Sequence, residues 1–333
     1  MNRLLLLSII AALGCGSPQK ALPDAVDLGI PDDAARLLLI GDSGVFDDTE
    51  DACDPLTQQG HIPSTCRDAL FASMAAEEAH AIVDLGDLVY EDGPLCPGGS
   101  LTSGARERLD TLLGDIAEAV GAPLVLVLGN HDVHQSRSGR ADAEACYLRY
   151  AEERSDVHFP ERSFFVNAGP ADLLVLDTNR PLDDGLRDAI AAELERRTAP
   201  WTLMAAHHVW RTYGDKDGQH EGPRYAAEIG THPDLWLNGH AHLLQFGVYD
   251  EVGAVTSGAS GKLRVRDECP APPCANDGQL FGLSRYGYAV LDLARTRARV
   301  TFKDVTGAPL FAWERELAGD AAGAVVDLAT LSP

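Results

Sequence analysis

The stretch "LLLIGDSGVF", residues 37–46, passes from a run of apolar side chains directly into an aspartate, Asp42, in the sequence GDSG. Continuous apolar runs of this length are typical of strands that are buried on both faces of a sheet. Together with residues 36–40, similar runs that end in polar residues occur at residues 81–85, 124–128, 173–176, 203–206 and 235–237. The sequence therefore predicts a buried sheet whose strand ends carry polar side chains.

Segments between these runs have the spacing of amphipathic helices. Residues 104–121 and 185–197 each place leucine and isoleucine side chains on one helical face. Strands that alternate with helices predict an α/β layer architecture. The C-terminal segments at residues 286–293, 297–305 and 309–317 alternate at period two, so we expect antiparallel strands that complete a second sheet of the same domain.

Five of the predicted strand ends carry side chains that can bind metal ions. They are Asp42 in "GDSG", Asp87 in "GDLVY", Asn130 and His131 in "GNHD", His207 in "AAHH", and His240 and His242 in "GHAH". One Gly-Asp or Gly-His pair commonly just ends a strand at a turn, but the carboxyl ends of strands converge in α/β sheets. An aspartate can bridge two cations, and neutral imidazole and amide ligands leave net positive charge for a phosphate dianion. The set therefore predicts one shared metal site.

These motifs together resemble the calcineurin-like metallophosphoesterases, and within them the purple acid phosphatases. The resemblance extends from about residue 36 to the C-terminal strands, and "GNHD" and "GHAHLLQ" are most similar to the small single-domain, tartrate-resistant type. "SGASG" at residues 257–261 resembles a loop that follows the last metal motif of that family. The resemblance implies a four-layer α/β/β/α sandwich of two mixed sheets, with a binuclear metal site at the carboxyl ends of the strands.

The resemblance also implies which residues bind the two ions. Fe(III) would be bound by Asp42, Asp87, Tyr90 and His242, and a divalent iron, zinc or manganese ion by Asp87, Asn130, His207 and His240. Asp87 would bridge the two, and the Tyr90 phenolate would replace a histidine ligand that is absent because Gly44 occupies its place. His131 would act as the general acid, and a metal-bound hydroxide would be the nucleophile.

Three further histidines are candidates for contact with the substrate. His207 is preferred over His208 as the ligand because it directly follows the strand, which leaves His208, together with His134, as a substrate-binding candidate. His220 in "QHEGP" resembles a family His-Gly-Pro segment whose histidine binds or protonates substrate, although Glu221 is inserted here. His220 is therefore a second catalytic candidate.

The charge of the chain limits its partners. The sequence has 51 acidic against 27 basic residues, a formal net charge of -24. Nucleic acids and anionic membrane surfaces are bound mainly through lysine and arginine, so both are disfavoured. We expect a monomer that acts on a small phosphorylated substrate.

The N-terminus has the pattern of an export signal. Arg3 precedes an apolar run at residues 4–13, and "LGCG" after it resembles a bacterial lipobox, which predicts lipidation of Cys15. The alternative is an ordinary secretory signal. We therefore predict a lipoprotein of the bacterial cell envelope, in the periplasm or at the outer membrane, or otherwise a secreted protein, that contacts the membrane only through its anchor.

The domain boundaries follow from these patterns. We predict a signal peptide over residues 1–15, a flexible tether over 16–35, a metallophosphoesterase domain over 36–318 and a tail over 319–333. Apart from Cys15, the six cysteines suit disulfides in an oxidising compartment. Close spacing favours the pairs Cys53–Cys66 and Cys269–Cys274, which leaves Cys96–Cys146.

The function predicted first is hydrolysis of phosphomonoesters. A phosphodiester, nucleotide or phosphoanhydride could be cleaved at the same site, since the sequence does not reveal the shape of the pocket. A hypothesis of another class is a surface lipoprotein that binds metal or a phosphorylated ligand without turnover. The presence of every ligand and of His131 disfavours that hypothesis, because an inactive relative would be expected to have lost some of them.

Overall fold

The structure, a computed structural model, describes residues 22–48, 60–133, 137–213, 221–264 and 268–331, with the side chains of residues 137–141 left out. In these ranges the strands are β1 (Val26–Asp27), β2 (Ala34–Ile40), β3 (Phe46–Asp47), β4 (Gly60–Pro63), β5 (Ala81–Asp84), β6 (Leu124–Leu126), β7 (Val157–His158), β8 (Phe164–Ala168), β9 (Ala171–Leu176), β10 (Trp201–Ala206), β11 (Leu235–Asn238), β12 (Leu244–Tyr249), β13 (Val252–Ser257), β14 (Lys262–Leu263), β15 (Gln279–Leu283), β16 (Gly287–Ala294), β17 (Arg297–Asp304), β18 (Pro309–Glu316) and β19 (Ala324–Val325). The α-helices are α1 (Ser64–Ala75), α2 (Ser103–Leu109), α3 (Asp115–Val120), α4 (Arg137–Glu153), α5 (Asp184–Arg196) and α6 (Glu221–Ile229).

The strands form two large mixed sheets and one small sheet. The first large sheet has the order β19-β18-β17-β16-β2-β5-β6-β7, and the second has the order β1-β8-β9-β10-β11-β13-β12-β15. The small sheet has the order β14-β4-β3. Parallel pairing joins β2 to β5 and β5 to β6 in the first sheet, and β9, β10 and β11 in the second.

The side chains of the second sheet alternate between two cores because successive residues of a strand point to opposite faces. Leu203 and Leu235 lie in the large core shared with the first sheet, whereas Met204 and Trp236 pack with α5 and α6 on the other face. The remaining helices contribute to the large core around the first sheet. This arrangement confirms the predicted α/β/β/α sandwich.

All six predicted buried strands are present, but the C-terminal strands lie elsewhere than expected. Strands β16, β17 and β18 were predicted to complete a second sheet, and they instead extend the first one, because β16 pairs antiparallel with β2. The second sheet begins at β1 and β8 and is completed by β12, β13 and β15. The first sheet therefore combines the two ends of the domain.

The helix predicted over residues 104–121 is interrupted. Asp110–Gly114 between α2 and α3 form a π-helical turn. Here Tyr150 of α4 donates a hydrogen bond to Asp110, with 2.9 Å between the oxygens, and a Cβ on Gly114 would lie 2.8 Å from the Arg154 guanidinium. The change of helical pitch thus occurs where α4 and the residue after it approach closely. The spacing of apolar residues along one segment does not reveal such an approach.

The chain outside residues 36–318 also takes part in the sheets. Val26–Asp27 pair in parallel with Val166 and Asn167, and Ala324–Val325 pair with β18. Residues 1–21, which include Cys15, lie outside the described part of the chain, so the signal peptide and the domain boundaries stay predictions. Among the described residues, no helix combines the length and the apolar character needed to cross a bilayer.

Two of the three predicted disulfides are present. Cys96 is bonded to Cys146, and Cys269 to Cys274. Cys66 is also disulfide-bonded, and its predicted partner Cys53 lies outside the described residues.

Candidate metal centre

The predicted ligands come together where the carboxyl ends of strands from both large sheets meet. Asp42, Asp87 and Asn130 follow the parallel strands β2, β5 and β6 of the first sheet. His207 and His240 follow the parallel strands β10 and β11 of the second sheet. The site therefore lies between the sheets, and each sheet contributes one side of it.

The glycines of the motifs allow these strand ends to approach closely. A Cβ on Gly129 would lie 2.1 Å from the backbone nitrogen of Asp87, and a Cβ on Gly86 would lie 2.7 Å from the backbone nitrogen of Gly129. A Cβ on Gly239 would lie 2.8 Å from Oδ2 of Asp42. Because real Cβ atoms essentially never approach other atoms this closely, a side chain at any of these positions would force the neighbouring strand ends to shift.

Gly44 shows why the first motif ends in glycine. A Cβ at this position would lie 2.2 Å from the carbonyl carbon of Leu88 and 2.3 Å from the nitrogen of Val89. The Gly44 N–H donates to the Asp87 carbonyl oxygen at 3.0 Å, and the Tyr90 N–H donates to the Gly44 carbonyl oxygen at 3.2 Å. The segment that carries Asp87 and Tyr90 thus occupies the space that a side chain at position 44 would need.

The first group of ligand-type atoms surrounds the Tyr90 hydroxyl. This oxygen lies 2.9 Å from Oδ1 of Asp42, 2.8 Å from Oδ2 of Asp87 and 3.5 Å from Nε2 of His242. Nε2 of His242 lies 3.2 Å from Oδ1 of Asp42. One ligand atom from each of Asp42, Asp87 and His242 can be chosen so that all lie within 4.8 Å of one another.

The second group surrounds Nε2 of His207. This nitrogen lies 3.3 Å from Oδ1 of Asp87, 3.2 Å from Oδ1 of Asn130 and 3.1 Å from Nδ1 of His240. Its Nδ1 lies 2.9 Å from the Leu85 carbonyl oxygen, which can only accept, so Nδ1 carries the proton. In the neutral imidazole, Nε2 of His207 therefore presents a lone pair towards two oxygens that also present lone pairs.

Both groups fit metal cations. Nitrogen and oxygen ligands bind zinc at about 2.0–2.2 Å, which places neighbouring ligand atoms about 3 Å apart, and the separations in both groups are close to that. In the second group, converging lone pairs repel one another unless a cation lies between them. In the first group, the Tyr90 hydroxyl donates to the carboxylates, and a cation would take the place of its proton. The predicted ligands Asp42, Asp87, Tyr90, Asn130, His207, His240 and His242 are thus brought together as two groups, and Asp87 contributes one oxygen to each.

The electrostatics of the first group also favour a cation. Burial alone would raise the pKa of Asp42, but the imidazoles of His242 and His207 and the Tyr90 hydroxyl outweigh burial and lower it. Burial raises the pKa of the Tyr90 phenol well above its usual range, and the negative charges of Asp42 and Asp87 raise it further. A metal ion bound here would reverse this effect, because its positive charge would stabilise the phenolate.

Three of the predicted ligands have strained backbones. The φ angles of Asp42, Asp87 and His240 are 54°, 58° and 68°, in the left-handed region that non-glycine residues rarely adopt. Such strain commonly occurs at functional sites, where surrounding structure holds the residue in place. Each of these residues directly follows a glycine of its motif.

His131 lies at the edge of the first group. Its backbone N–H donates to Oδ1 of Asp87 at 2.9 Å, and its Nδ1 lies 2.6 Å from the Glu91 carbonyl oxygen and donates to it. The His131 and Tyr90 rings have centroids 4.5 Å apart. The side chain of His131 is 25% exposed, and Nε2 is the ring nitrogen that the bond to Glu91 leaves for another partner.

His208 lies beside the second group. Its ring centroid is 4.7 Å from that of His240 and 5.3 Å from that of His207, and its Nδ1 is 2.7 Å from Oγ1 of Thr178. His134 and His220 lie outside the described residues, so their predicted contact with substrate stays a prediction.

Sequence reasoning missed the residues that support the ligands. Asp132, fully buried, accepts hydrogen bonds from the backbone N–H groups of Val89 and Gly129 and from the Tyr147 hydroxyl, and so joins the two motif loops. Burial, with the charge of Asp87, raises its pKa well above the usual range. Its place in "GNHD" was a signal, since a third polar side chain in one turn needs partners when it is buried.

Two further residues were missed near the first group. Asp84 is buried on β5, where Ser43 donates to its Oδ2 at 2.6 Å and burial raises its pKa to about 7. The Lys262 ammonium lies over the Tyr90 ring, 4.1 Å from its centroid. The available signal for Lys262 was its position directly after "SGASG".

Comparison with known proteins gives one family and one fold. A family model described as calcineurin-like phosphoesterase matches residues 35–244. No curated protein matches the sequence.

Three solved structures share the fold. Purple acid phosphatase PPD1 from yellow lupin (Lupinus luteus) seeds superimposes with a TM-score of 0.61 at 14% identity, over 91% of this chain and 58% of the lupin chain. GAP50, the anchor in the inner membrane complex of Plasmodium, gives a TM-score of 0.59 at 15% identity, over 85% of this chain and 88% of its own. PhoD gives 0.57 at 12% identity, over 92% of this chain and 73% of its own. This chain therefore spans less than two thirds of the lupin protein, and the likeness shows the fold.

We predict that Gly44→Ala destabilises the protein, since the new Cβ would overlap the backbone of Leu88 and Val89. The expected loss in free energy of unfolding is about 1–3 kcal/mol, the usual cost of overpacking a buried position. Chemical denaturation of the purified protein measures it. Gly104→Ala is the matched control, because Gly104 lies in α2, where a new Cβ would meet no neighbouring described atom within 4 Å, and it should gain up to about 1 kcal/mol. Equal stabilities of the two variants would contradict the prediction.

Proposed function

Because the chain belongs to the calcineurin-like phosphoesterase family, we propose that it is an exported phosphatase that hydrolyses phosphomonoesters with two metal ions at this site. The proposal rests on one observation: the two carboxylate oxygens of Asp87 face two separate groups of ligand-type atoms. A carboxylate with this arrangement is suited to bridge two cations. Asp42, Tyr90 and His242 complete the first group, and Asn130, His207 and His240 the second.

We assign Fe(III) to the first group and a divalent iron, zinc or manganese ion to the second. The first group offers the carboxylates of Asp42 and Asp87 and the phenol of Tyr90, which are hard oxygen ligands that suit a trivalent ion. Gly44 has no side chain to act as a ligand, so Tyr90 is the residue that completes this group. The second group offers two neutral imidazoles and an amide oxygen, which suit a divalent ion.

The protein's own residues bind the ester and move a proton. Bound cations supply positive charge for the phosphoryl group and a water of lowered pKa. We assign to His208, whose Nδ1 lies 2.7 Å from Oγ1 of Thr178, the donation of a hydrogen bond to a phosphoryl oxygen. His131 donates through Nδ1 to the Glu91 carbonyl, so Nε2 is the atom from which a proton can pass to the leaving oxygen. The two histidines lie beside different ligand groups, which supports separate roles in phosphoryl binding and in protonation.

The fold alone does not require catalysis, since one protein that shares it is described as an anchor in a membrane complex. The complete set of ligand residues and the accessible His131 favour turnover over simple binding. A protein that only binds metal has no need for a proton donor beside the ligands.

We also propose that the protein leaves the cytoplasm and is attached to a membrane by lipid on Cys15, with residues 16–35 as the connecting segment. The disulfides Cys96–Cys146 and Cys269–Cys274 support an oxidising compartment. The catalytic domain is proposed to span residues 36–318, with the pairing of Val26–Asp27 holding the connecting segment against the second sheet.

Purified protein is expected to contain iron and a second metal ion, to absorb visible light and to release phosphate from monoesters in preference to diesters and nucleotides.

Asp87→Asn should lose metal at both positions, because the amide has only one good oxygen ligand and lacks the negative charge that both ions would share. Asp84→Asn is the control, since Asp84 lies three residues earlier on the same strand end and belongs to neither group. Elemental analysis and a phosphate-release screen measure these outcomes. A metal-loaded protein that hydrolyses none of the esters would support the binding alternative, and a preference for diesters would change only the substrate class.

His131→Ala is expected to retain both metal ions while kcat falls by about 10²–10⁴-fold, the usual size of an acid–base contribution. The loss should be smaller for aryl phosphates than for alkyl phosphates, because a good leaving group needs less protonation. Steady-state kinetics with both ester types tests this. An equal loss for the two types would exclude the general-acid role.

Expression with the intact N-terminus tests the anchor. Cys15→Ser should move the protein from the membrane fraction to the soluble fraction, because the acyl chain has no other attachment point in the lipobox-like sequence. Mass spectrometry of the wild-type N-terminus gives an independent measurement. A wild-type protein that is soluble and carries no acyl chain would exclude lipidation and leave the secretory alternative.

A further inference from the structure

Lys262 is held against the first ligand group from two sides. The residue before it, Gly261, packs so closely on the backbone of Asp42 that a Cβ there would lie 2.5 Å from the Asp42 carbonyl oxygen. Two residues later, the Arg264 N–H donates to the His242 carbonyl oxygen at 3.1 Å. Strand β14 is further fixed by pairing of Lys262 with His61 in β4. The chain therefore has little freedom to move Lys262 away from this group.

The side chain of Lys262 is directed onto the Tyr90 ring. Its Nζ lies 4.1 Å from the ring centroid, well within the range of a cation–π interaction. Within the described ranges, no carboxylate lies within 4 Å of this ammonium group, and no other lysine or arginine stacks on the Tyr90 ring. Arg108 also approaches Tyr90, but it donates to the backbone carbonyl oxygen instead of contacting the ring.

We propose that Lys262 is a positioning residue for the metal centre, and that it acts through the Tyr90 ring to limit how strongly the phenolate donates electrons to the metal. This inference rests on the proposed function, in which Tyr90 binds Fe(III). A positive charge over the ring lowers the energy of the ring electrons, because they are attracted to it. The ammonium lies over the ring and not beside the metal ligands, so it affects the ring electrons more than it affects the orbitals of the metal.

The effect is greatest at the first of the two metal positions, because Tyr90 belongs to that group alone. Lys262, Asp42 and His242 are tied together through Gly261 and Arg264, and Asp42, His242 and Tyr90 all belong to the first group. In the second group, the His207 ring contacts the Leu85 carbonyl oxygen, Asn130 and His240. This group meets the first through Asp87 and through the His240 N–H, which donates to Oδ2 of Asp42 at 2.7 Å, and it does not include the Tyr90 ring. Lys262 therefore distinguishes the two positions. It makes iron at the first position easier to reduce than iron with the same ligands and no nearby positive charge.

The test measures the visible absorption band and the midpoint reduction potential of the iron-loaded protein. Lys262→Met keeps the length of the side chain and removes its charge, so the band should move to longer wavelength and the potential should fall. Lys262→Arg keeps the charge and should stay close to wild type in both. Arg264→Met is the control for net charge. It also removes one positive charge, but from an exposed side chain that lies two residues after Lys262. It should change neither quantity.

Several outcomes would overturn the inference. An unchanged band and potential in iron-loaded Lys262→Met would show that Lys262 does not act through the ring, and a raised KM for every ester in that variant would identify a substrate contact instead. An equal shift in Arg264→Met would show a general charge effect. Lys262→Gln is the second neutral variant in case Lys262→Met does not retain iron. If both neutral variants lose iron while Lys262→Arg retains it, the first metal position requires the positive charge of Lys262. If all three variants lose iron, the result counts against the inference.

Failure of the proposed function is visible separately. It would appear in the wild-type protein, which would then contain no iron or show no visible band after oxidation. Tyr90→Phe keeps the ring under Lys262 and removes the ligand oxygen. This variant must therefore be colourless if Tyr90 binds Fe(III), and also if Lys262 acts through the Tyr90 ring. A wild-type protein that is purple, with a Tyr90→Phe variant that is colourless, leaves Lys262 to be judged on its own variants.

Discussion

The contact between the backbones at Gly86 and Gly129 is the constraint on which the rest of the site depends. It brings the ends of β5 and β6 so close that the Asp87 carboxylate lies against the loop that carries Asn130 and His131. Asp132 then holds the same two loops together through N–H groups on each of them. With Asp87 fixed in this way, one of its oxygens faces Tyr90 and the other faces His207, and the division of the ligands into two groups follows.

The chain is strongly acidic, yet its proposed substrate is an anion. The two are compatible because the charge at the site differs from the charge of the chain as a whole. A net charge of -24 repels phosphate at long range. At the site, however, neutral imidazoles and an amide outnumber the two carboxylates, and bound cations would leave the centre positive. Lys262 adds a positive charge directly over the ring of Tyr90. In the proposed function, attraction of a phosphoryl group would thus depend on bound metals rather than on the protein surface.

The sequence predicted well the buried strands and the strand ends at which the proposed ligand residues lie, because both depend on patterns within a few residues. Apolar runs that end in Gly-Asp, Gly-Asn or Gly-His placed Asp42, Asp87, Asn130 and His240 at strand ends, His207 follows an apolar run without a glycine, and the carboxyl-edge rule brought them together. The sheet to which β16 to β18 belong was predicted wrongly, because pairing of β16 with β2 joins residues that are far apart in the chain. The position of Lys262 over Tyr90 likewise depends on the packing of Gly261 against Asp42, which no local pattern encodes.

Each proposed ligand group draws side chains from both large sheets, so an ion in either group would join the two layers of the sandwich. Asp42, Asp87 and Tyr90 come from loops of the first sheet, and His207, His240 and His242 from loops of the second. Binding of this kind couples the supply of metal to the folding equilibrium, since a ligand at 100 times its Kd stabilises the folded state by about 2.7 kcal/mol. Scarcity of metal in the surroundings would then lower the folded fraction of the protein as well as slow its chemistry.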